Sequence, residues 1–131
     1  NPQESIDLNG NTGPFIQYTY ARICSLLQKA GSFENKPTES IALIKTEKDV
    51  IKAISRFPSI IDESAKSYTP SSITSYCYEL VKLYNQFYQN VKILPETDSN
   101  IRANRLILSS SVSLIIEKCL HLLGIHSPKR M

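Results

Sequence analysis

Apolar residues recur at helical spacing in three long stretches of this chain of 131 residues. In each stretch the successive intervals are four, three, four and three residues, which place the side chains on one face of an α-helix. The three apolar stripes are Ile16, Tyr20, Ile23, Leu27 and Ala30; Ile73, Cys77, Leu80, Tyr84 and Phe87; and Leu108, Val112, Ile115, Cys119 and Leu122. The pattern therefore predicts three long amphipathic helices, each with one buried face.

Residues that start and stop helices flank these stripes. The predicted start signals are Thr12 with Pro14, Thr69 with Pro70, and the polar cluster at 97–100. Gly31 and Gly124 suit the C′ position just after a helix, where the backbone often adopts a positive φ. At Gly124 we expect a Schellman turn in which Ile125 contacts Leu120.

Two shorter amphipathic segments precede the second stripe. One covers residues 47–56, and the other begins at Pro58 with Ile60, Ile61 and Ala65 as its buried side. No alternating strand pattern of any length is present in the sequence. The sequence therefore predicts an all-α fold, a helical bundle of about five helices.

The length is sufficient for one domain with a hydrophobic core. We expect a single domain over residues 1–131, with an approach segment at 1–10, a linker at 32–45 and a C-terminal tail at 125–131. The chain begins with Asn1 rather than Met, which indicates a piece of a longer protein. It has no run of about 18 apolar residues and no signal-peptide pattern, so we expect a cytoplasmic protein that does not enter a membrane.

Residues with metal-binding or catalytic chemistry are scattered along the chain. Cys24, Cys77 and Cys119 are far apart in sequence and have no second ligand at a suitable spacing, so we expect reduced thiols. His121 and His126 are separated by a glycine, a poor arrangement for two metal ligands on one helix. The sequence contains no phosphate-binding glycine loop, no paired carboxylates and no nucleophile with a base. It predicts no metal site and no catalytic residue.

The formal net charge of +3 is unevenly distributed. Residues 8–33 contain two bases and no acid, and residues 99–131 contain five bases against Glu117, whereas residues 34–98 are nearly balanced. If the first long helix and the C-terminal segment pack together, they form one basic face suited to a polyanion.

The polar face of the first long helix places an aromatic ring one turn from a guanidinium. This face consists of Tyr18, Arg22, Ser25 and Lys29. Such a surface is suited to stacking a nucleic-acid base and pairing with a phosphate. The alternative is that Tyr18 packs against a neighbouring element while the cations are only solvated, and this stretch alone favours that alternative.

Four separated pieces of the sequence together match the pattern of one known family. They are Gly-Asn-Thr-Gly-Pro-Phe-Ile-Gln-Tyr at 10–18 with Tyr20 and Arg22; Tyr-Cys-Tyr-Glu-Leu to Tyr-Asn-Gln-Phe-Tyr at 76–88; Ile-Arg to Arg-Leu at 101–106; and Leu-Leu-Gly-Ile to Arg-Met at 122–131. The chain resembles the C-terminal anticodon-binding domain of arginyl-tRNA synthetases. The resemblance covers most of the chain in the right order and is weak only between residues 34 and 67.

The resemblance implies a domain that follows a class I catalytic domain and binds the anticodon stem and loop of an arginine tRNA. The parent enzyme would be an arginine–tRNA ligase, which attaches arginine to its tRNA with ATP. The His-x-Gly-His and Lys-Met-Ser-Lys-Ser signatures of the ATP site are absent here, so these residues are expected to be non-catalytic and to hold no cofactor. ATP with Mg²⁺ would belong to the missing catalytic domain. The expected partners are the tRNA and that domain, within a monomer.

The resemblance also suggests which residues contact tRNA. Tyr18 and Arg22 match the aromatic and cationic positions of the family's first helix, and Met131 matches its C-terminal residue near the anticodon. Tyr20 is on the apolar stripe, so a structural role and a base contact are equally open. The full set of predicted tRNA-binding residues is Tyr18, Tyr20, Arg22, Lys29, Arg102, Arg105, Arg130 and Met131.

Three further alternatives stay open on the sequence. Arg102 and Arg105 are predicted either to contact phosphates or to bridge to neighbouring acids. The whole chain could instead be a helical protein-interaction module whose basic face docks an acidic partner. It could also be the anticodon domain of another class I synthetase, although residues 11–14 and the final Arg130-Met131 favour the arginine enzyme.

Overall fold

A computed structural model describes residues 12–33, 42–67 and 70–131. Within these ranges the chain forms five α-helices and no strand. They are α1 (Thr12–Ala30), α2 (Lys45–Ser55), α3 (Phe57–Ser67), α4 (Ser71–Asn90) and α5 (Ser99–Leu122). The prediction of an all-α bundle of about five helices is confirmed.

The three long helices form the centre of the bundle. Helix α1 packs against α4 and α5, and these two also pack against each other. The shorter α2 packs against both α4 and α5, while α3 packs on α4 and α2. Fully buried side chains from α1, α2, α4 and α5 form the core, and the largest include Tyr84, Phe87, Ile16 and Ile23.

The predicted stripes account for most of this core. All five residues of the α4 stripe are buried, and so are Ile16, Tyr20 and Ile23 of the α1 stripe. Two apolar predictions are wrong. Leu122 is 54% exposed because it lines an open groove with Phe57 and Ile61. In α3 the buried position is Ser64 and Ala65 is exposed, since the covered face follows residues 57, 60, 61 and 64.

The predicted start and end signals of α5 are confirmed, whereas α4 begins at Ser71 with Pro70 at the cap position and without a side-chain cap. Asp98 caps α5 by accepting hydrogen bonds from the backbone N–H groups of Asn100 and Ile101. Gly124 has φ 71°, and the Ile125 N–H donates to Leu120 O at 2.8 Å, so the predicted Schellman turn is confirmed.

Some predicted boundaries cannot be compared directly. Helix α1 is described from Thr12 onwards, so the predicted cap at Thr12 cannot be compared with the residues that precede it. The approach segment at 1–10, most of the linker at 32–45, and Thr69 also lie outside them.

The cysteines are free, and two of them meet in the core. Cys77 on α4 and Cys119 on α5 are both fully buried. A hydrogen bond with Cys119, together with burial, raises the pKa of the Cys77 thiol well above its usual value. Among the described residues, no group of histidine, cysteine and acidic side chains could hold a metal ion. No helix in the described ranges is long and apolar enough to span a bilayer.

Candidate nucleic-acid interface

Helix α1 and the tail, residues 125–131, lie beside each other. The Gln17 side chain on α1 donates a hydrogen bond to the His126 backbone carbonyl at 2.9 Å. The Schellman turn, in which Gly124 has a positive φ, redirects the chain after α5. The tail then reaches the polar face of α1. The two basic segments recognised in the sequence therefore do come together.

Between α1 and the tail is an open cleft of about 580 Å³, which we call the α1–tail cleft. Its described lining is Tyr18, Ala21, Arg22, Ser25, Leu26, Gln28, Lys29, Tyr88, Leu94, Lys129, Arg130 and Met131. Four of these residues are cations and none is acidic. A concave surface with charge of one sign attracts a polyanion more strongly than isolated surface cations do.

Arg22 is the most constrained of the four cations. Its guanidinium carbon lies 5.1 Å from the centre of the Tyr18 ring and 4.6 Å from the centre of the Tyr88 ring. Its Nη1 donates to Asn85 Oδ1 at 2.8 Å, and its Nη2 donates to the Tyr18 hydroxyl at 3.3 Å. Contacts with two rings and an amide place this cation in a defined position within the cleft.

The remaining predicted residues of the cleft are open to solvent. Tyr18 is 50% exposed and Met131 is 70% exposed, and Lys29 and Arg130 are exposed as well. Proteins that bind single-stranded nucleic acids use exposed aromatic rings to stack the bases and nearby cations to pair with the phosphates. The cleft thus brings together five of the eight predicted residues.

Tyr20 lies elsewhere. Its ring is in the core, 3% exposed, and its hydroxyl donates to the Glu117 carboxylate on α5 at 2.8 Å. Burial, reinforced by this hydrogen bond, raises the pKa of Tyr20 above its usual value. These contacts correspond to the structural alternative that the sequence left open for Tyr20.

Arg102 and Arg105 are also outside the described lining of the cleft. Arg102 Nη1 donates to Glu96 O at 2.8 Å. Arg105 Nη1 donates to Lys92 O at 2.7 Å and pairs with the Glu96 carboxylate at 3.2 Å. Both guanidinium groups therefore fasten the segment between α4 and α5 to the first turns of α5. Arg105 makes the bridge to a neighbouring acid that the sequence offered as one of two alternatives.

Three residues that matter to this surface were missing from the predicted set: Tyr88, Asn85 and Lys129. Tyr88 is one of several tyrosines on α4, and nothing in the sequence shows which ring of α4 meets Arg22. Asn85 did give a signal, since it is a polar residue between Tyr84 and Phe87 on an otherwise apolar face. Lys129 was counted in the basic segment but was not singled out.

Comparison with known proteins gives a consistent result. The sequence model of the DALR anticodon binding domain matches residues 16–131. The chain is 46% identical to an arginine–tRNA ligase from Porphyromonas gingivalis and 49% identical to one from Flavobacterium psychrophilum, and both alignments cover the whole chain. It spans only 23% and 22% of the lengths of those relatives.

The fold is similar to that of a solved synthetase. Thermus thermophilus arginyl-tRNA synthetase superposes with a TM-score of 0.84 at 30% sequence identity. The match covers 98% of this chain and 23% of that one. The similarity in structure therefore has the same extent as the similarity in sequence.

Proposed function

Because this chain belongs to the DALR anticodon binding domain family, we propose that it binds the anticodon arm of an arginine tRNA through the α1–tail cleft. The observation that supports this most directly is the composition of the cleft. It combines an exposed Tyr18, an Arg22 held between two rings, and further cations on α1 and the tail, with no acid in its described lining.

The chemistry of an anticodon loop fits such a surface. Its bases are unstacked and are accessible to aromatic side chains, and each stack is worth roughly 1–3 kcal/mol. Lysine and arginine neutralise the phosphates and fix the path of the backbone. Stacking accepts any base, so identity must be checked by hydrogen bonds to base edges, for which Arg22 and the backbone of the tail are the candidate donors and acceptors.

The parent protein, in this proposal, is an arginine–tRNA ligase that joins arginine to its tRNA with ATP. The names of the relatives support this assignment. Since the ATP-site signatures are absent from this sequence, ATP and Mg²⁺ are assigned to a catalytic part of the longer protein. The present chain supplies tRNA binding alone.

The test uses the full-length protein at limiting tRNA. Tyr18→Ala and deletion of Met131 should each raise the KM for arginine tRNA about tenfold, because each removes a contact surface in the cleft. Neither change should alter ATP-dependent activation of arginine at saturating substrates. Unchanged aminoacylation by both variants would show that this cleft is not the tRNA site.

Removing one lysine at a time distinguishes a specific phosphate contact in the cleft from an effect of the net charge of the protein. Lys29→Gln should reduce the magnitude of the salt slope of tRNA affinity by about 0.7, the value for one lost single-strand phosphate contact. Lys52→Gln is the matched control, because Lys52 is an exposed lysine on α2 outside the described lining of the cleft. Equal slopes for the two variants would mean that the protein responds only to net charge. A protein-interaction module would show no preference for arginine tRNA over an unrelated tRNA.

A further inference from the structure

Asn85 on α4 is a buried amide whose polar atoms are all used. It is 8% exposed, and its Nδ2 donates to Thr19 Oγ1 at 2.9 Å and to Val81 O at 2.8 Å. Its Oδ1 accepts the hydrogen bond from Arg22 Nη1 at 2.8 Å. Two acceptors at the nitrogen end fix the orientation of the amide, so that its oxygen must face the guanidinium.

Thr19 on α1 supports this arrangement from the core. It is fully buried, and its hydroxyl donates to Phe15 O at 3.0 Å, which leaves the oxygen free to accept from Asn85. Neither Thr19 nor Asn85 belongs to the described lining of the α1–tail cleft. The hydrogen bond from Arg22 to Asn85 is the direct contact through which these two residues can influence a ligand in the cleft.

A free arginine side chain samples many rotamers, and ordering it costs conformational entropy. Here Asn85 accepts a hydrogen bond from the guanidinium, and the guanidinium carbon lies 5.1 Å and 4.6 Å from the centres of the Tyr18 and Tyr88 rings. We propose that Asn85 and Thr19 are positioning residues that hold Arg22 ready for the anticodon arm. This inference rests on the proposed function, because it assumes that Arg22 contacts tRNA.

The choice of asparagine is informative. An aspartate would also accept from Arg22, but it would neutralise the charge that attracts phosphate and would lose the donors to Thr19 and Val81. Asparagine supplies a directed acceptor without a charge. The guanidinium is therefore fixed in place while the cleft keeps its full positive charge.

The experiment measures the Kd of the full-length protein for arginine tRNA, together with its unfolding midpoint. Thr19→Val removes the hydroxyl at nearly the same size, and Thr19→Ser is the matched control that keeps it. We expect about a three- to tenfold higher Kd for Thr19→Val and for Asn85→Ala, and a Kd near that of the parent for Thr19→Ser. In an Arg22→Ala background the same changes should have no further effect.

Each other outcome has a definite meaning. If Thr19→Val and Asn85→Ala raise the Kd equally with and without Arg22, they act through general destabilisation and the inference is wrong. The inference is also wrong if Thr19→Val and Asn85→Ala both leave the Kd unchanged in the protein that keeps Arg22. An Arg22→Ala variant that itself binds tRNA normally would overturn the proposed site as well.

A second variant keeps the test decisive if Asn85→Ala does not fold. Asn85→Asp retains the acceptor for Arg22 but adds a negative charge beside it, and should reduce the magnitude of the salt slope of tRNA affinity. We expect a reduction similar to that of Arg22→Gln. An unchanged slope for a folded Asn85→Asp protein would show that the Arg22 charge does not neutralise an RNA phosphate, which would remove the premise of the positioning role.

Discussion

Arg22 and Tyr20 are two residues apart on α1 but have opposite surroundings. Two residues turn an α-helix by about 200°, so the two side chains project from nearly opposite faces. Arg22 lines the cleft between two rings, whereas Tyr20 is in the core with its hydroxyl on Glu117. At the scale of single residues, the proposed tRNA contact and the contact that stabilises the core thus belong to separate positions of one short segment.

Replacing Tyr20 by phenylalanine tests this separation. The change removes the hydrogen bond to Glu117 and keeps the ring in the core, so the free energy of unfolding should fall by about 1 kcal/mol. The Kd for arginine tRNA should not change. Urea unfolding and a tRNA-binding titration measure the two effects, and a loss of affinity as large as that of Tyr18→Ala would return Tyr20 to the binding surface.

At the scale of elements, α1 and α5 are each followed by a glycine with a positive φ, but the two glycines precede different segments. Gly31 and Gly124 have φ of 69° and 71°, and a Cβ built on either would meet no atom within 4 Å. An alanine at either position would therefore cost mainly the strain of a positive φ. Gly124, however, directs the tail toward the α1–tail cleft, whereas none of the described residues 31–33 lines that cleft.

These two glycines form a matched pair for mutagenesis. Gly31→Ala and Gly124→Ala should each lower the free energy of unfolding by about 1 kcal/mol. Only Gly124→Ala should also weaken tRNA binding, because it alters the start of the tail. Thermal unfolding and Kd measurements on the full-length protein give the comparison. Equal losses of affinity would indicate that the tail does not need this turn.

The sequence predicted these elements well because their determinants are local. The α4 stripe, the Asp98 cap and the turn at Gly124 depend on residues within one or two helical turns of each other. The contact of Arg22 with Asn85 and Tyr88 depends on how α1 and α4 pack, and no local pattern contains that information. For the same reason Leu122 was assigned to the core, although it lies beside an open groove.

At the scale of the whole molecule, the distribution of charge along the sequence indicated which two segments form the basic surface. The acid-free stretch at 8–33 and the basic segment at 99–131 both contribute to the cleft. Arg102 and Arg105 show the limit of such counting. They belong to the basic segment, yet their contacts are with the chain around Glu96.

Buried tyrosine hydroxyls make the stability of the bundle depend on pH in the alkaline range. Burial raises the pKa of Tyr84, whose hydroxyl donates to Ser109 Oγ at 2.9 Å. The unfolded chain releases this proton near pH 10 and the folded chain does not, so stability is present below that pH and falls as the pH rises above it. Tyr84 should contribute a loss of up to about 1.4 kcal/mol per pH unit.

A series of urea titrations between pH 8 and 11 would measure this slope. Tyr84→Phe lacks the titrating group, so its free energy of unfolding should fall less steeply above pH 10. The comparison corrects for its lower free energy of unfolding at pH 8. Tyr18→Phe is the control, because Tyr18 is half exposed. Parallel curves for the parent and Tyr84→Phe would contradict the assignment.

If the proposed function holds, the hydrogen bonds around Arg22 also affect how quickly tRNA is bound. The guanidinium, both rings and the Asn85 amide contact one another within this chain. An arriving anticodon loop would meet a finished surface and would not have to wait for side chains to assemble. Encounter would then be limited by diffusion and by the attraction of the basic cleft, and differences between correct and incorrect tRNAs would appear mainly in how long each stays bound.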